Sequence, residues 1–260
     1  MKRTFYKYCS ISTPEHLDRF LQLLSGKVYF SSPLKFNDPF ELSAKVRVEN
    51  SPLLHDLNKR EVEEVSRVFR LAYPEAVSNS WKENIGILCL SENPQHILMW
   101  SHYGSNHTGI CVGFDSGMPP FDDAAEVKYR DARPYVEYNS SPEHLLERVL
   151  LTKSQHWEYE QEWRVIKRNI GPEERDFYYE RYSSGNACLE EIASLIESNG
   201  GPGLYSFEPN AIRSIFFGAK ILPEHRLDVI NFVKKNNLGI KLFDIELDSQ
   251  YFWLNKKQIR

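Results

Sequence analysis

Residues 157–166 read WEYEQEWRVI, and the organisation of this 260-residue chain turns on how that stretch folds. Two Trp, a Tyr, Val and Ile within ten residues favour a pleated, half-buried strand. Alternation along a strand puts Glu158, Glu160, Glu162 and Arg164 on one face, opposite Trp157, Tyr159, Gln161, Trp163 and Val165. Successive carboxylates of the row then lie about 6.5–7 Å apart. They repel one another, and Arg164 neutralises only part of that. Such a row faces open water, basic partners, or a ligand that becomes positive. The framing rings and the continuation into Val165-Ile166 predict a strand inside the sheet, and charges on an inner strand must line a cleft or meet partners.

The totals set the class. Hydrophobic content of 41% with 26% charged residues fits a soluble globular protein. A net charge of −4 argues against a general nucleic-acid or anionic-membrane binder and leaves room for a local basic groove. The aromatic content of 13% predicts ring-rich core layers and a ring-rich pocket. Cys9, Cys89, Cys111 and Cys188 show no CxxC spacing, so small buried thiols are expected rather than a zinc or redox site. No apolar run reaches membrane-spanning length and MKRTFYKY is no signal peptide, so a cytoplasmic, bacterial setting without a membrane partner is expected.

Outward from the acidic stretch, Thr4–Cys9 reads as a strand. Thr13, Pro14 and Glu15 open a helix that buries Leu17, Phe20, Leu21 and Leu24 and stops at Gly26. A second strand over 27–31 runs into SSPLKFNDPFE (31–41), bent by its prolines. Helical spacing recurs within 52–72. IGILCLS (85–91) and GICVGFD (109–115) read as buried strands flanking a short helix that Gly104 stops. A short strand over 126–129 and a helix opening at Ser141-Pro142-Glu143 precede the acidic stretch. Residues from about 171 to 203 read as a peripheral insertion with a helix near 189–198. Strands over 204–208 and 214–218, a helix over 223–236 capped by Gly239, and a last strand over 240–247 complete a single α+β domain, 1–260.

Two further stretches carry candidate chemistry. In SSPLKFNDPFE, turn formation alone accounts for Asn37 and Asp38; the functional reading is a ligand-facing loop offering two hydroxyls (Ser31, Ser32), an amide (Asn37) and two carboxylates (Asp38, Glu41) on a rigid bend. In MWSHYGSNHTG (99–109), the i,i+5 spacing of His102 and His107 does not stack on one helical face and no acid lies nearby, so no metal site is expected. Trp100, His102 and Tyr103 form a cofactor-facing wall of rings or simply pack. Phosphate-loop, GxGxxG, HExxH and GxSxG patterns are missing. Glycoside hydrolysis would require Glu160 and Glu162 on one strand to serve as acid and nucleophile, which is disfavoured.

In order, FYKY (5–8), VYFSSPLKFNDPFE (28–41), LCLSEN (88–93), MWSHYGSNHTGICVGFD (99–115), VKY (127–129) and KSQHWEYEQEWR (153–164) resemble a bacterial family catalogued as domain of unknown function 2971, as does IRSIFFG (212–218). Its members often occur near phage-defence genes. More distantly, the layout resembles the ADP-ribosyltransferase superfamily, in which three strands carry an NAD site: Arg or His on the first, Ser or Thr on the second, Glu on the third. That resemblance implies mixed, mainly antiparallel sheets around a central cleft with flanking helices, and NAD as substrate. The corresponding positions are Lys7 with Tyr6 and Tyr8, Ser31 and Ser32, and Glu162, with Glu160-Gln161-Glu162 matching a Glu-x-Glu motif.

On that resemblance Glu162 holds the ribose and the charge developing there, and Glu160 orients or deprotonates the acceptor. Ser31 or Ser32 braces Glu162, Tyr103 or Trp100 stacks on a ring of NAD, and Arg164 joins the cofactor-binding set. Lys7 departs from the pattern, being a point charge where Arg is a planar fork, and alternation sets it opposite Tyr6 and Tyr8. The acceptor would be protein, nucleic acid or water. The function implied is an NAD-using toxin in anti-phage defence. The alternatives are a silent module sensing a nucleotide or phage component, or an antitoxin-like partner of a defence or toxin–antitoxin system.

Overall fold

Apolar side chains on both faces of Ile85–Ser91 and Ile110–Asp115 require cover on two sides, and both strands run through the interior of one large sheet. A computed structural model describes residues 3–48, 54–72, 82–137, 148–169, 172–185 and 199–259. The first half comprises β1 (Thr4–Cys9), α1 (Pro14–Leu24), β2 (Lys27–Phe30), β3 (Lys45–Arg47), α2 (Lys59–Ala72), β4 (Ile85–Ser91), α3 (Ile97–His102) and β5 (Ile110–Asp115). Short strands follow: β6 (Ala125–Glu126), β7 (Lys128–Arg130), β8 (Tyr135–Glu137) and β9 (Thr152–Ser154). The rest is β10 (Glu162–Arg168), α4 (Pro172–Ser183), β11 (Gly203–Ser206), β12 (Ile212–Phe217), α5 (Pro223–Lys235), β13 (Lys241–Leu247) and β14 (Leu254–Gln258).

The sheet runs β14-β13-β12-β5-β1-β4-β10-β6, and every neighbouring pair is antiparallel except β12 with β13, which α5 connects. The protein is thus mixed α+β with a mainly antiparallel sheet. Alternation sorts its two faces. Phe5, Val112, Phe114, Ile215 and Phe217 share a buried cluster with Phe20, Leu23 and Leu24 of α1 and Val229, Ile230 and Val233 of α5. Tyr8, Cys111, Phe216 and Ile245 face the other way, onto Met99 and Trp100 of α3. Lys7 therefore points to the α1 side and Tyr6 and Tyr8 to the α3 side.

α1 begins as its sequence dictates: Thr13 Oγ1 accepts from the His16 amide at 3.3 Å, and Pro14 needs no partner at the first turn. It ends because Gly26 adopts φ +86°, and a Cβ there would meet the Phe207 carbonyl oxygen at 2.5 Å. That close approach lets Gly26 C=O accept from the Phe207 amide at 2.7 Å, tying the α1–β2 corner to the residue that follows β11.

The feature that positions the site is a split in the sheet. β4 pairs with β10 along its whole length, from Ser91↔Glu162 to Ile85↔Arg168. Among the described residues its ladder to β1 is the single pair Tyr6↔Ser91. Further along, Ile87 exchanges two 2.9 Å backbone hydrogen bonds with Ser31 at the end of β2 instead. β1 and β4 separate beyond Ser91, and a cleft opens between them.

Several sequence expectations are corrected. WEYEQEWRVI is not one strand: Gln155–Glu160 is a 3-10 turn, Gln161 is left-handed at φ 46°, and β10 starts at Glu162. The turn breaks the alternation, so Glu158 is exposed and only Glu162 and Arg164 share a strand face. β10 is also next to last in the sheet rather than central, because only the two-residue β6 lies beyond it. The reversal after α5 falls at Asn237 (φ 50°) rather than Gly239, and β14 follows the strand expected to be last. The helix expected from Ser141 is described only at 148–150, and the helix near 189–198 and Cys188 lie outside the described residues. No helix among those described is long and apolar enough to cross a membrane.

Candidate functional site

The cleft between β1 and β4 holds a cavity of about 300 Å³. β1 lends Tyr6, Lys7 and Tyr8, the end of β2 lends Ser31, and the bend after it lends Lys35, Phe36 and Asn37. α3 supplies Met99 and His102, with Tyr103 just beyond it, and Lys153, Glu160 and Glu162 close the deep end. Nine residues singled out from sequence meet here: Tyr6, Lys7, Tyr8, Ser31, Asn37, His102, Tyr103, Glu160 and Glu162. The cavity lies at the edge of β1, which explains how Lys7 and the two tyrosines reach it from opposite faces.

Four others do not line it. The Ser32 hydroxyl donates to the Lys82 carbonyl and accepts from the Leu34 amide, both at 3.3 Å. Asp38 Oδ1 accepts from the Phe40 amide at 2.8 Å, which is turn chemistry. Trp100 is fully buried behind Tyr8, its indole donating to the Pro94 carbonyl at 2.9 Å, so it stacks on protein. Arg164 is fully buried beneath the cavity floor and supports a carboxylate.

That floor is a buried charge network. Arg164 Nε donates to Glu162 Oε1 at 2.8 Å and Nη2 to Oε2 at 3.0 Å, while Nη1 donates to the Leu150 carbonyl at 2.7 Å. Lys153 Nζ donates to Glu162 Oε2 at 3.0 Å and makes a very short contact to Glu160 Oε2. Tyr103 donates its hydroxyl hydrogen to Glu160 Oε1 at 2.5 Å, and Asn37 Nδ2 donates to that hydroxyl at 3.3 Å. Glu41 stands 2.8 Å from Arg164 Nη1 and 3.9 Å from Lys153 Nζ, without hydrogen-bond alignment to either. Three carboxylates thus share two cations in a site withdrawn from water. Interactions among them are strong there, and one negative charge is left over when all are ionised.

The surroundings drive the two cavity carboxyls apart. Burial raises the Glu160 pKa, and Lys153 only partly opposes it. Burial acts on Glu162 in the same sense, but Arg164 and then Lys153 outweigh it and hold Glu162 below the usual carboxylate range. For Lys153, burial opposes the charge and Glu162, Glu160 and Glu41 overcome it, so the ammonium is stabilised. Burial, followed by the Glu160 charge, raises the Tyr103 hydroxyl. Two carboxyls with opposed shifts are a common arrangement for dividing proton transfer from electrostatic stabilisation. The site thus favours the ionised form of Glu162 and pushes Glu160 toward its protonated form.

Lys153 was missed from the sequence, and Glu41 was read only as one of the two carboxylates of the 31–41 loop, although both lie inside the quoted motifs. The signal available was the charge count. A row of buried carboxylates with one arginine needs a second cation, and KSQHWEYEQEWR begins with one. Beside Lys153, Trp157 and Tyr159 of the 3-10 turn complete the ring wall: each ring centroid lies 6.0–6.2 Å from the other or from His102. Among the described residues no His, Cys, Asp and Glu group is arranged to hold a metal.

Fold and cleft together define a mixed α+β protein with one charged cleft opened between two strands of a mainly antiparallel sheet. Residues 99–165, from α3 into β10, match the model of a family described as "Protein of unknown function (DUF2971)", in keeping with the resemblance read from the motifs. The matched segment contains Tyr103, Lys153, Glu160, Glu162 and Arg164. Comparison with curated proteins and with solved structures finds no match.

Proposed function

We propose that the cleft binds NAD and breaks its nicotinamide–ribose bond, as in ADP-ribosyltransferases, with the protein acting as an NAD-consuming effector. One observation carries this reading: Lys7 of β1, Ser31 at the end of β2 and Glu162 of β10, distant in sequence, line one cavity at a split in the sheet. These are the positions at which the resemblance requires an Arg or His, which Lys7 replaces, a hydroxyl and a glutamate. In the reaction the C1′–N bond breaks and its electron pair leaves with nicotinamide. The ribose carbon turns positive and an acceptor oxygen or nitrogen bonds to it. Glu162, held in its ionised form, stabilises that charge through the field of the site, and Glu160, with its raised pKa, takes the acceptor's proton. A role as a growth-arresting toxin in phage defence is proposed with it.

A second reading is favoured by a specific observation. Glu162 accepts three charged hydrogen bonds from Arg164 and Lys153, which leaves little capacity for ribose hydroxyls. A nucleotide-sensing module without turnover would carry such a tethered carboxylate. Nicotinamide release from NAD, followed with cell lysate as acceptor in the parent and in Glu162→Gln, separates the two. Release that is lost in the variant supports the enzyme. No release from the parent under any condition removes it, and release unchanged in the variant removes the role of Glu162. Growth arrest on expression, relieved by Glu162→Gln, is the expected cellular counterpart.

A further inference from the structure

A second cavity of about 430 Å³ opens on the α1 side of the same strand end. Lys7, Tyr8, Ser31 and Lys35 line both cavities, so the two share a wall. Their chemistry is opposite. The second is lined by Lys7, His16, Arg19, Lys27 and Lys35, and no carboxylate lines it. Lys7, Arg19, Lys27 and Lys35 form no salt bridge among the described residues; Glu15 and Asp18 of α1 lie nearby and do not line the cavity. In a chain of net charge −4, a pocket whose charged lining residues are all basic is a local inversion of the protein's charge. Tyr29, 42% exposed, and Leu204, 49% exposed, add an apolar side on which a planar ring can rest.

We propose that this second cavity is a phosphate-binding arm of the cleft, taking the phosphate groups of a nucleotide whose sugar reaches toward Glu160 and Glu162. Several cations around one space exceed what a single carboxylate would need. Arg19 offers a planar fork for phosphate oxygens, and the lysines offer point charges that follow a flexible diphosphate. A volume of this order accommodates such a group with an attached base. The phosphate can come from the diphosphate of the dinucleotide itself or from the backbone of a nucleic-acid acceptor. The proposal rests on the reading of the first cavity as a nucleotide site only for what lies beyond the shared wall.

Calorimetric titration of the whole protein with ADP and, separately, with a single-stranded oligonucleotide tests it. Three proteins are compared: the parent, Arg19→Glu/Lys27→Glu, and Lys234→Glu/Lys235→Glu. The last makes the same net charge change on the exposed end of α5. Expected is a weakening of about tenfold or more for at least one ligand in Arg19→Glu/Lys27→Glu alone. Loss of ADP binding identifies the dinucleotide's phosphates, and loss of oligonucleotide binding alone identifies an acceptor's. The proposal is overturned if neither ligand binds the parent, or if the two variants behave alike. Binding that is lost as expected, in a protein that never releases nicotinamide, leaves the phosphate arm standing and removes the NAD-cleaving reading.

Discussion

Two walls meet at the end of β1, and their charges are handled in opposite ways. Around Glu162 every charge is withdrawn from water and held by an opposite one, Arg164 at 0% exposure and Glu160 and Glu162 each at 3%. Around Arg19 and Lys27 the charges are exposed and no lining residue of the cavity is a carboxylate, Glu15 reaching Arg19 only from outside it. A buried, paired charge has one geometry and a large cost if its partner goes. An exposed, unpaired charge has many geometries and acts at a distance through a field that salt weakens. The first wall is fit to hold reacting atoms in register, the second to draw in an anion. A single ligand with a sugar at one end and phosphates at the other would use both.

The contrast breaks most visibly at Lys153. Lys153→Ala leaves Glu160 and Glu162 buried with Arg164 as their only nearby cation, and a loss of about 3–5 kcal/mol of stability is expected. Urea unfolding measures it. Adding Glu160→Gln to Lys153→Met, which removes a charge with its partner, should cost clearly less than Lys153→Ala. If Lys153→Ala costs under about 1 kcal/mol, the network contributes little and the first wall is ordinary surface electrostatics. Next in size is the effect of Glu162→Gln on nicotinamide release, a fall of about 10²–10³-fold, the usual consequence of removing one preorganised electrostatic group.

Much of this wall was legible in the sequence, and the gaps have physical causes. Lys7, Ser31 and Glu162 were singled out by the resemblance to a three-strand NAD site, while strand period and turn residues showed only that their segments are extended or bent. Glu158 was misplaced because WEYE has strand composition. Tertiary contacts override that propensity: Tyr103 and Lys153 draw Glu160 inward, and the left-handed Gln161 lets the chain turn. Lys153 itself lies in a three-residue strand, β9, that pairs in parallel with β7, a contact between distant segments that no local pattern encodes. The split between β1 and β4 is likewise a property of pairing. Thr4–Cys9 reads as an ordinary alternating strand and Ile85–Ser91 as an ordinary buried one.

pH sharpens the comparison further, because Glu160 and Glu162 move in opposite directions. A raised pKa means that folded Glu160 holds its proton more tightly than the unfolded chain does. Stability should therefore rise as pH falls through that value toward the ordinary carboxylate range. Glu162 is depressed, so its contribution is complete above the ordinary range and is lost as pH falls below it. Melting temperature against pH should pass through an acidic maximum. Glu160→Gln should remove the rise, and Glu162→Gln should remove part of the later fall. Nicotinamide release should decline as Glu160 gains its proton, and an unchanged decline in Glu160→Gln would show that another group accepts the acceptor's proton.

The smallest expected effect supplies the control for the rest. Arg226 donates to Asp244 through Nε at 2.8 Å and Nη2 at 2.9 Å, the same two-pronged geometry that Arg164 makes with Glu162. The pair joins α5 to β13 rather than lining the cleft, and its side chains are 33% and 31% exposed. Water already solvates both partners, so Arg226→Ala should cost only about 0.2–1 kcal/mol and shrink further in high salt. Nicotinamide release should be unaffected. Arg164→Ala, at the buried pair of matching geometry, should cost several-fold more, and burial would be the cause. Equal costs at Arg226 and Arg164 would instead mean that hydrogen-bond geometry, and not withdrawal from water, sets the strength of the cleft floor.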